Sequence, residues 1–498
     1  MGRGFRWQAL CAVGATAATL LAGPAAAAAR PAPDSFRSAP GLHPPPLRVN
    51  TYPGRHASGL FFLAPFSSNS EPPVGQPGAL IANGAGEPVW FHPAPAGEEI
   101  TDFRAQRYRG QPVLTWWQGR IAVTPRLTNL PVGSPEPGAR FYVYSNRYQP
   151  LFTVSAPAGW TADLHEFLIT PRNTALFLAA RTVPANLTPY GGPAHGELED
   201  FAIQEVSLPE GKLLYQWDLL EHIPLSQAQT KVPKNGIWDP YHANSVQEVG
   251  ETLVLSVRNT WAVYGISRKT GQVVWQVGGK GSTFQLPPRG RFFWQHDARL
   301  HGTSLLSLFD DGCCNITAHG LENPEHPARG LVLSLNFKTH RAKVVAAYPH
   351  RPPLYVPSQG NVQFLAGGNR LIGWGQLPYT TELTAKGKLL LELALPAPDE
   401  SYRSFRLPWT GQPNGPVSLV VARRGRRLMA FVSWNGATAV RSYALYGGPA
   451  KRKLHRLRVV AKRSFQTTIT IYHRARLYQV LALDGKGKVI GRSKLVGG

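Results

Sequence analysis

Gly271-Gln-Val-Val-Trp-Gln-Val277 is a turn glycine followed by a short apolar run, and the same shape returns at Gly86-Glu-Pro-Val-Trp-Phe91, Gly211-Lys-Leu-Leu-Tyr-Gln-Trp217 and Gly387-Lys-Leu-Leu-Leu-Glu-Leu393. Each reads as the closing strand of one sheet unit, because self-similarity at intervals of this size marks a repeat architecture. A second pattern places a polar segment ahead of an apolar strand. It occurs as Asp163-Leu-His165-Glu-Phe before Ala175-Leu-Phe-Leu178, as Tyr241-His242-Ala-Asn244-Ser before Thr252-Leu-Val-Leu255, and as Gln295-His296-Asp297 before Ser304-Leu-Leu-Ser-Leu308. Ser358-Gln359-Gly360-Asn361 before Arg370-Leu-Ile-Gly-Trp374 is a fourth copy, without histidine.

Four-stranded blades around a central channel account for both patterns, since the inner strand of each blade begins at one mouth and its first residues line the channel. Equivalent positions in successive blades are then neighbours in space, so the histidines converge. Helical periodicity is confined to a short stretch, Asp218 to Gln227.

Composition agrees. The 498 residues contain 50 Gly and 45 Pro, with 16% charged residues, which excludes both a disordered chain and a helical array. The formal net charge of +24 is uneven: residues 401–498 hold 20 Lys+Arg and a single acid, Asp484. The basic character is therefore local, and nucleic acid is not the expected partner.

Residues 1–29 have the three-part plan of a secretory signal peptide, with Arg3 and Arg6, an apolar stretch from Trp7 to Leu21 and the alanine run 25–29. The expected location is secreted or in the cell envelope, where nucleotide cofactors are not supplied. There is no Walker-type loop, no zinc motif and no cofactor signature. After residue 29 the only cysteines are the adjacent Cys313-Cys314, so no disulfide framework is expected.

Residues 30–410 are read as the propeller and 411–498 as a second domain. The latter alternates over Val417–Ala422, Leu428–Trp434, Ser442–Tyr446, Leu457–Ala461, Thr467–Tyr472 and Tyr478–Leu483, a pattern expected of a small β-sandwich. Its Ser433-Trp434-Asn435-Gly436 run resembles a fibronectin type III module.

The candidate chemistry rests on His165, His242 with Asn244, and His296, joined by Arg258 on the strand that follows His242. A guanidinium in an apolar strand requires either a carboxylate, for which Asp239 and Asp297 are the candidates, or an anion brought by a ligand. Trp116, Trp117, Trp261, Trp294 and Trp374 lie close to these segments and can sandwich an aromatic ring or pack the core.

In chain order, Tyr108-Arg-Gly-Gln-Pro-Val-Leu-Thr-Trp-Trp117, Asp163-Leu-His-Glu-Phe167, His242-Ala-Asn-Ser245, Arg258-Asn-Thr-Trp261, Val274-Trp-Gln-Val-Gly-Gly-Lys280 and Trp294-Gln-His-Asp297 resemble the arylsulfate sulfotransferases over roughly residues 40–410. The resemblance implies an all-β, six-bladed propeller and a channel histidine, here His296, that is sulfated during turnover. It also implies that Asn244 and Arg258 hold the sulfuryl oxygens, with His165 and His242 as the other site histidines. Members of that family carry a disulfide before the nucleophilic histidine, whereas Cys313-Cys314 follows it here.

The function so implied is an exported aryl sulfotransferase that moves a sulfuryl group from a phenolic sulfate to a phenolic acceptor, without cofactor, nucleotide donor or metal. The rival is a non-catalytic propeller that binds an anionic ligand or a cell-envelope polymer, anchored by the basic C-terminal domain.

Overall fold

The computed structural model describes residues 31–68, 71–122, 133–234, 236–312, 315–317, 320–322 and 326–498. The protein is all-β. Residues 1–29, assigned above to a signal peptide, and Cys313-Cys314 lie outside the described residues. Among those described, no helix is long and apolar enough to cross a membrane.

Among the described residues, six antiparallel sheets of four or five strands succeed one another between residues 48 and 407, beside two short two-stranded pairings. The second to fourth are each built from consecutive strands, and the fifth leaves out only the short pair Asn315–Thr317 and Gly320–Glu322; the four begin at Glu99–Tyr108, Thr161–Ile169, Ala243–Val249 and His296–His301 and end at Pro150–Val154, Leu213–Asp218, Val273–Gly278 and Arg341–Pro349. The first and sixth sheets borrow strands from opposite ends of this region. Phe405–Leu407, which follows the sixth sheet, pairs with Leu60–Leu63 of the first, and Arg48–Thr51, which precedes the first, pairs with Leu389–Ala394 of the sixth. Three of the four glycine-led runs are therefore the outermost strands expected from the sequence. The fourth, Leu389–Ala394, is covered by Arg48–Thr51.

Middle strands are buried on both faces, which is why Thr252–Val257 reads TLVLSV without polar alternation. The faces pack in succession. Trp90 and Trp116 join the first sheet to the second, and Phe141 and Phe177 the second to the third. Ile203 and Leu255 join third to fourth, Val263 and Leu308 fourth to fifth, and Val332 and Ile372 fifth to sixth. Leu391 and Phe61 then join the sixth back to the first. Each such side chain contributes about 1.5–3 kcal/mol by its removal from water.

Beyond residue 417 the chain forms two more sheets. One contains Ser418–Arg424, Arg427–Ser433 and Thr467–Ile471; the other is built on Ser442–Gly448, His455–Ala461 and Leu477–Leu483, with Val489–Arg492 and Val496–Gly497 added to the strands expected. They share a core that includes Val432, Ile469, Tyr443 and Val480. This part is fastened to the first sheet at Asn435, which accepts from the Phe91 N–H (3.0 Å) and donates to its carbonyl (2.9 Å). Gly436 continues the seam to Val89 at 2.8 Å. Its φ is +93° and a Cβ there would lie 2.2 Å from Tyr148, so the approach requires glycine.

Candidate active site

The leading strands of the second to fifth sheets share an irregularity. Their pairing shifts between Thr101 and Arg104, Ala162 and Phe167, Ala243 and Ser245, and His296 and Arg299. Such bulges re-aim side chains that a regular strand would send alternately to its two faces. Asp102 (φ +49°), His242 (+50°) and Asp297 (+52°) take the left-handed conformation at or beside them.

The three predicted histidines come together. The His165 ring centroid is 4.9 Å from that of His242 and 6.5 Å from that of His296. Each has Nδ1 on its own aspartate: His165 on Asp163 at 2.7 Å, His242 on Asp239 at 2.5 Å and His296 on Asp311 at 2.8 Å. The backbone N–H of Gln359, from the fourth copy of the polar segment, donates to His296 Nε2 at 3.2 Å. Nε2 must then be the acceptor, so the ring proton resides on Nδ1 and the lone pair on Nε2.

Burial drives the His296 pKa well below its ordinary 6.5, reinforced by Arg258, His165, His242 and Arg403. His165 is also pushed down by burial, against the pull of Asp163. The His296 side chain is fully enclosed and that of His165 4% exposed, whereas that of His242 is 13% exposed. Tyr402 stands edge-on to His165, with centroids 5.3 Å apart.

Arg258 opens the 3₁₀ turn Arg258–Thr260 after the strand Thr252–Val257, and its guanidinium donates to Asn259 Oδ1 (2.9 Å) and the Pro357 carbonyl (3.1 Å) and lies 4.7 Å over Trp294. Burial lowers its pKa, while Asp311 and then Asp239 favour the charged form. Of the two carboxylates expected beside it, Asp239 is also bound to His242, and Asp297 faces Arg299 (2.6 Å) and Arg403 (3.4 Å) instead. The acid that acts most strongly on Arg258 is thus Asp311, fifteen residues beyond His296. The pair Asp310-Asp311 just after an apolar run gave no sign of this in the sequence.

Asn244 is fully buried; its Nδ2 donates to the Gln295 carbonyl at 2.8 Å and its Oδ1 has no partner among the described residues. Trp261, at φ +53°, meets Phe293 and Trp294 edge-on and has a buried indole N–H without a partner among the described residues. Trp116, Trp117 and Trp374, by contrast, are core residues with their indole N–H groups bonded inside the protein.

The arrangement offers a neutral imidazole lone pair, two further carboxylate-held imidazoles, a buried guanidinium and an unpaired indole donor. It suits displacement at an electrophilic centre that carries anionic oxygens.

Among solved structures, a crystal structure of a protein of unknown function from Bacteroides caccae is similar at 14% identity and a TM-score of 0.40, over 70% of this chain and 98% of that one. No curated protein matches. The family model described as arylsulfotransferase (ASST) matches residues 141–395, just over half of the chain and a span that contains all three histidines. This chain belongs to the arylsulfotransferase (ASST) family.

Proposed function

We propose that the protein transfers a sulfuryl group from a phenolic sulfate ester to a phenol through a sulfated His296. The observation that carries this reading is the enclosed His296 ring, with Nδ1 on Asp311 and Nε2 left as the acceptor.

In the first half-reaction the Gln359 N–H gives up Nε2, the freed lone pair attacks sulfur, the bond from sulfur to the aryl oxygen breaks, and the leaving phenolate takes a proton. In the second, the acceptor phenol gives up its O–H proton and attacks sulfur, and the N–S bond breaks. His242 is the assigned acid and base: it is the most exposed of the three and its ring is oriented by Asp239 at Nδ1. Such assistance is worth ~10²–10⁴ in rate. Arg258 and Asn244 face the sulfuryl oxygens and Trp261 the aryl ring. No nucleotide donor, cofactor or metal takes part.

The six successively packed sheets are read as the blades of one propeller, tied shut by the exchanged strands Phe405–Leu407 and Arg48–Thr51. Residues 411–498 form a fibronectin-like sandwich. Its Lys451, Arg452, Lys453, Arg456, Arg458 and Arg474 are all exposed, which supports an exported enzyme held to an anionic envelope polymer. Charge reversal at Lys451, Arg452 and Lys453 removes that attachment or refutes it.

The deciding experiment mixes the protein with a chromogenic aryl sulfate, with and without phenol, and measures intact mass. A sulfuryl adduct on His296 that phenol discharges supports the reading. A protein that binds aryl sulfate yet forms no adduct and releases no chromophore is a binding module.

A further inference from the structure

Beside the histidines lies a cluster of three guanidinium and three carboxylate groups that the transfer chemistry does not itself require. Arg104 bonds Asp102 and Glu166, the latter at 2.8 Å; Arg299 bonds Glu166 (2.5 Å) and Asp297 (2.6 Å). Arg403, one of the largest fully buried side chains, completes it. Its Nη1 donates to Asp102 Oδ1 at 2.9 Å and lies 3.3 Å from Glu166 Oε1; its Nε is 3.4 Å from Asp297 Oδ1. Its Nη2 donates to the Asn244 carbonyl at 2.8 Å.

One guanidinium therefore touches the leading strands of four successive sheets, each at its bulge. The Arg403 backbone comes from elsewhere, two residues ahead of Phe405–Leu407, the strand that pairs with the first sheet.

The contacts converge on His296 from both of its neighbours. Asn244, held by Arg403 through its carbonyl, donates its side-chain amide to the carbonyl of Gln295, the residue before His296. Asp297, the residue after it, is in the left-handed conformation and lies between Arg299 and Arg403. A residue held there against its backbone preference persists only because its surroundings fix it.

We infer that Arg403 is a positioning residue for sulfuryl transfer: it locks the four bulged strands in register around His296 and contributes positive charge beside the nucleophile. The inference rests on His296 as nucleophile. A fork with three separate donor atoms can span four strands, which a lysine ammonium cannot, because it presents its donors from one point. The charged and titratable groups around His296 are Asp311, Arg258, His165, His242, Tyr402, Asp297 and Arg403. Arg258 and Arg403 are the cations that disfavour its imidazolium form.

The test uses the full-length protein, single-turnover sulfation by a chromogenic aryl sulfate, and intact mass. Arg403→Lys keeps the charge and loses the fork. Arg403→Met paired with Glu166→Gln removes one charge of each sign, so that a folded variant is obtained even if Arg403→Met alone does not fold. Both are expected to sulfate His296 at least about tenfold more slowly, with KM for the donor within about threefold of wild type. The acidic limb of the rate stays in place for Arg403→Lys and moves to higher pH in the double variant, because loss of a cation lets the imidazole protonate more readily. Folded variants with wild-type sulfation rates and an unmoved acidic limb overturn the positioning role alone. A wild-type protein that takes no sulfuryl group on His296 removes both this inference and the nucleophile on which it rests.

Discussion

Asp311 accepts the Nδ1 proton of His296 at 2.8 Å, although the two residues are fifteen apart in sequence, His296 opening one strand and Asp311 following the end of its neighbour, Leu305–Asp310. That contact decides which ring nitrogen is basic. The Gln359 N–H on the opposite side of the ring enforces the same choice.

Asp311→Asn tests it. The amide can donate to Nδ1, which would transfer the ring proton to Nε2 and block attack on sulfur. Single-turnover sulfation of His296 should fall by ~10²–10⁴, in line with loss of a tautomer-fixing carboxylate elsewhere, and the melting temperature should not account for the loss. A variant sulfated at the wild-type rate contradicts the assignment.

The sulfation rate should show no loss from His296 protonation at pH 6.5, because burial and then Arg258 hold the His296 pKa well below that value. The native state withholds a proton that the unfolded chain binds, so the His296 contribution to stability is at its full value above pH 6.5 and declines as pH falls below it. His296→Gln should accordingly gain stability relative to wild type on acidification. Paired denaturant titrations at pH 7.5 and 5.5 check the sign.

Glu400 carries the opposite linkage. Burial raises its pKa to about 7, against hydrogen bonds from Gln359 and Ser68, and Gln359 Nε2 donates to its Oε1 at 3.0 Å. Its stabilising contribution is complete below the ordinary 4.5 and is lost as pH rises from there to about 7. Glu400→Gln should therefore be more stable than wild type at pH 8, by roughly 2–4 kcal/mol, and by much less at pH 5. An equal difference at both values would contradict the linkage.

Two tryptophans should separate packing from binding. Trp117 is fully buried and donates to the Ala162 carbonyl at 2.8 Å, so Trp117→Ala should cost about 3–5 kcal/mol. Trp261, with its unpartnered buried indole N–H, should behave differently. Trp261→Phe should raise KM for the aryl sulfate several-fold and change the melting temperature little, as measured by steady-state kinetics and thermal denaturation.

Much of the fold was legible because strand patterning is local. The glycine-led runs and the apolar middle strands announce themselves in stretches of six or seven residues, and the observed strands fall on them. The three histidines were legible for a related reason: repeated units put equivalent positions side by side. Of the acids around Arg258, Asp239 was legible and Asp311, which acts more strongly, was not. Asp297 precedes the bulge partner Arg299, and a bulge changes which way a side chain points without leaving a signature in residue type.

Local residue patterning dictates that the chain forms successive antiparallel sheets and that His165, His242 and His296 lie on or just before the leading strands of three of them. Tertiary structure alone decided their chemical state. Asp311 fixes the His296 tautomer from just past the end of the neighbouring strand, Gln359 approaches from the segment ahead of the next sheet, and Arg403 reaches Asn244 across 159 positions of sequence. Long-range ion pairs and buried hydrogen bonds depend on where folded strands bring polar atoms, and desolvation, the largest force on the His296 pKa, exists only once the surrounding sheets have closed over the ring.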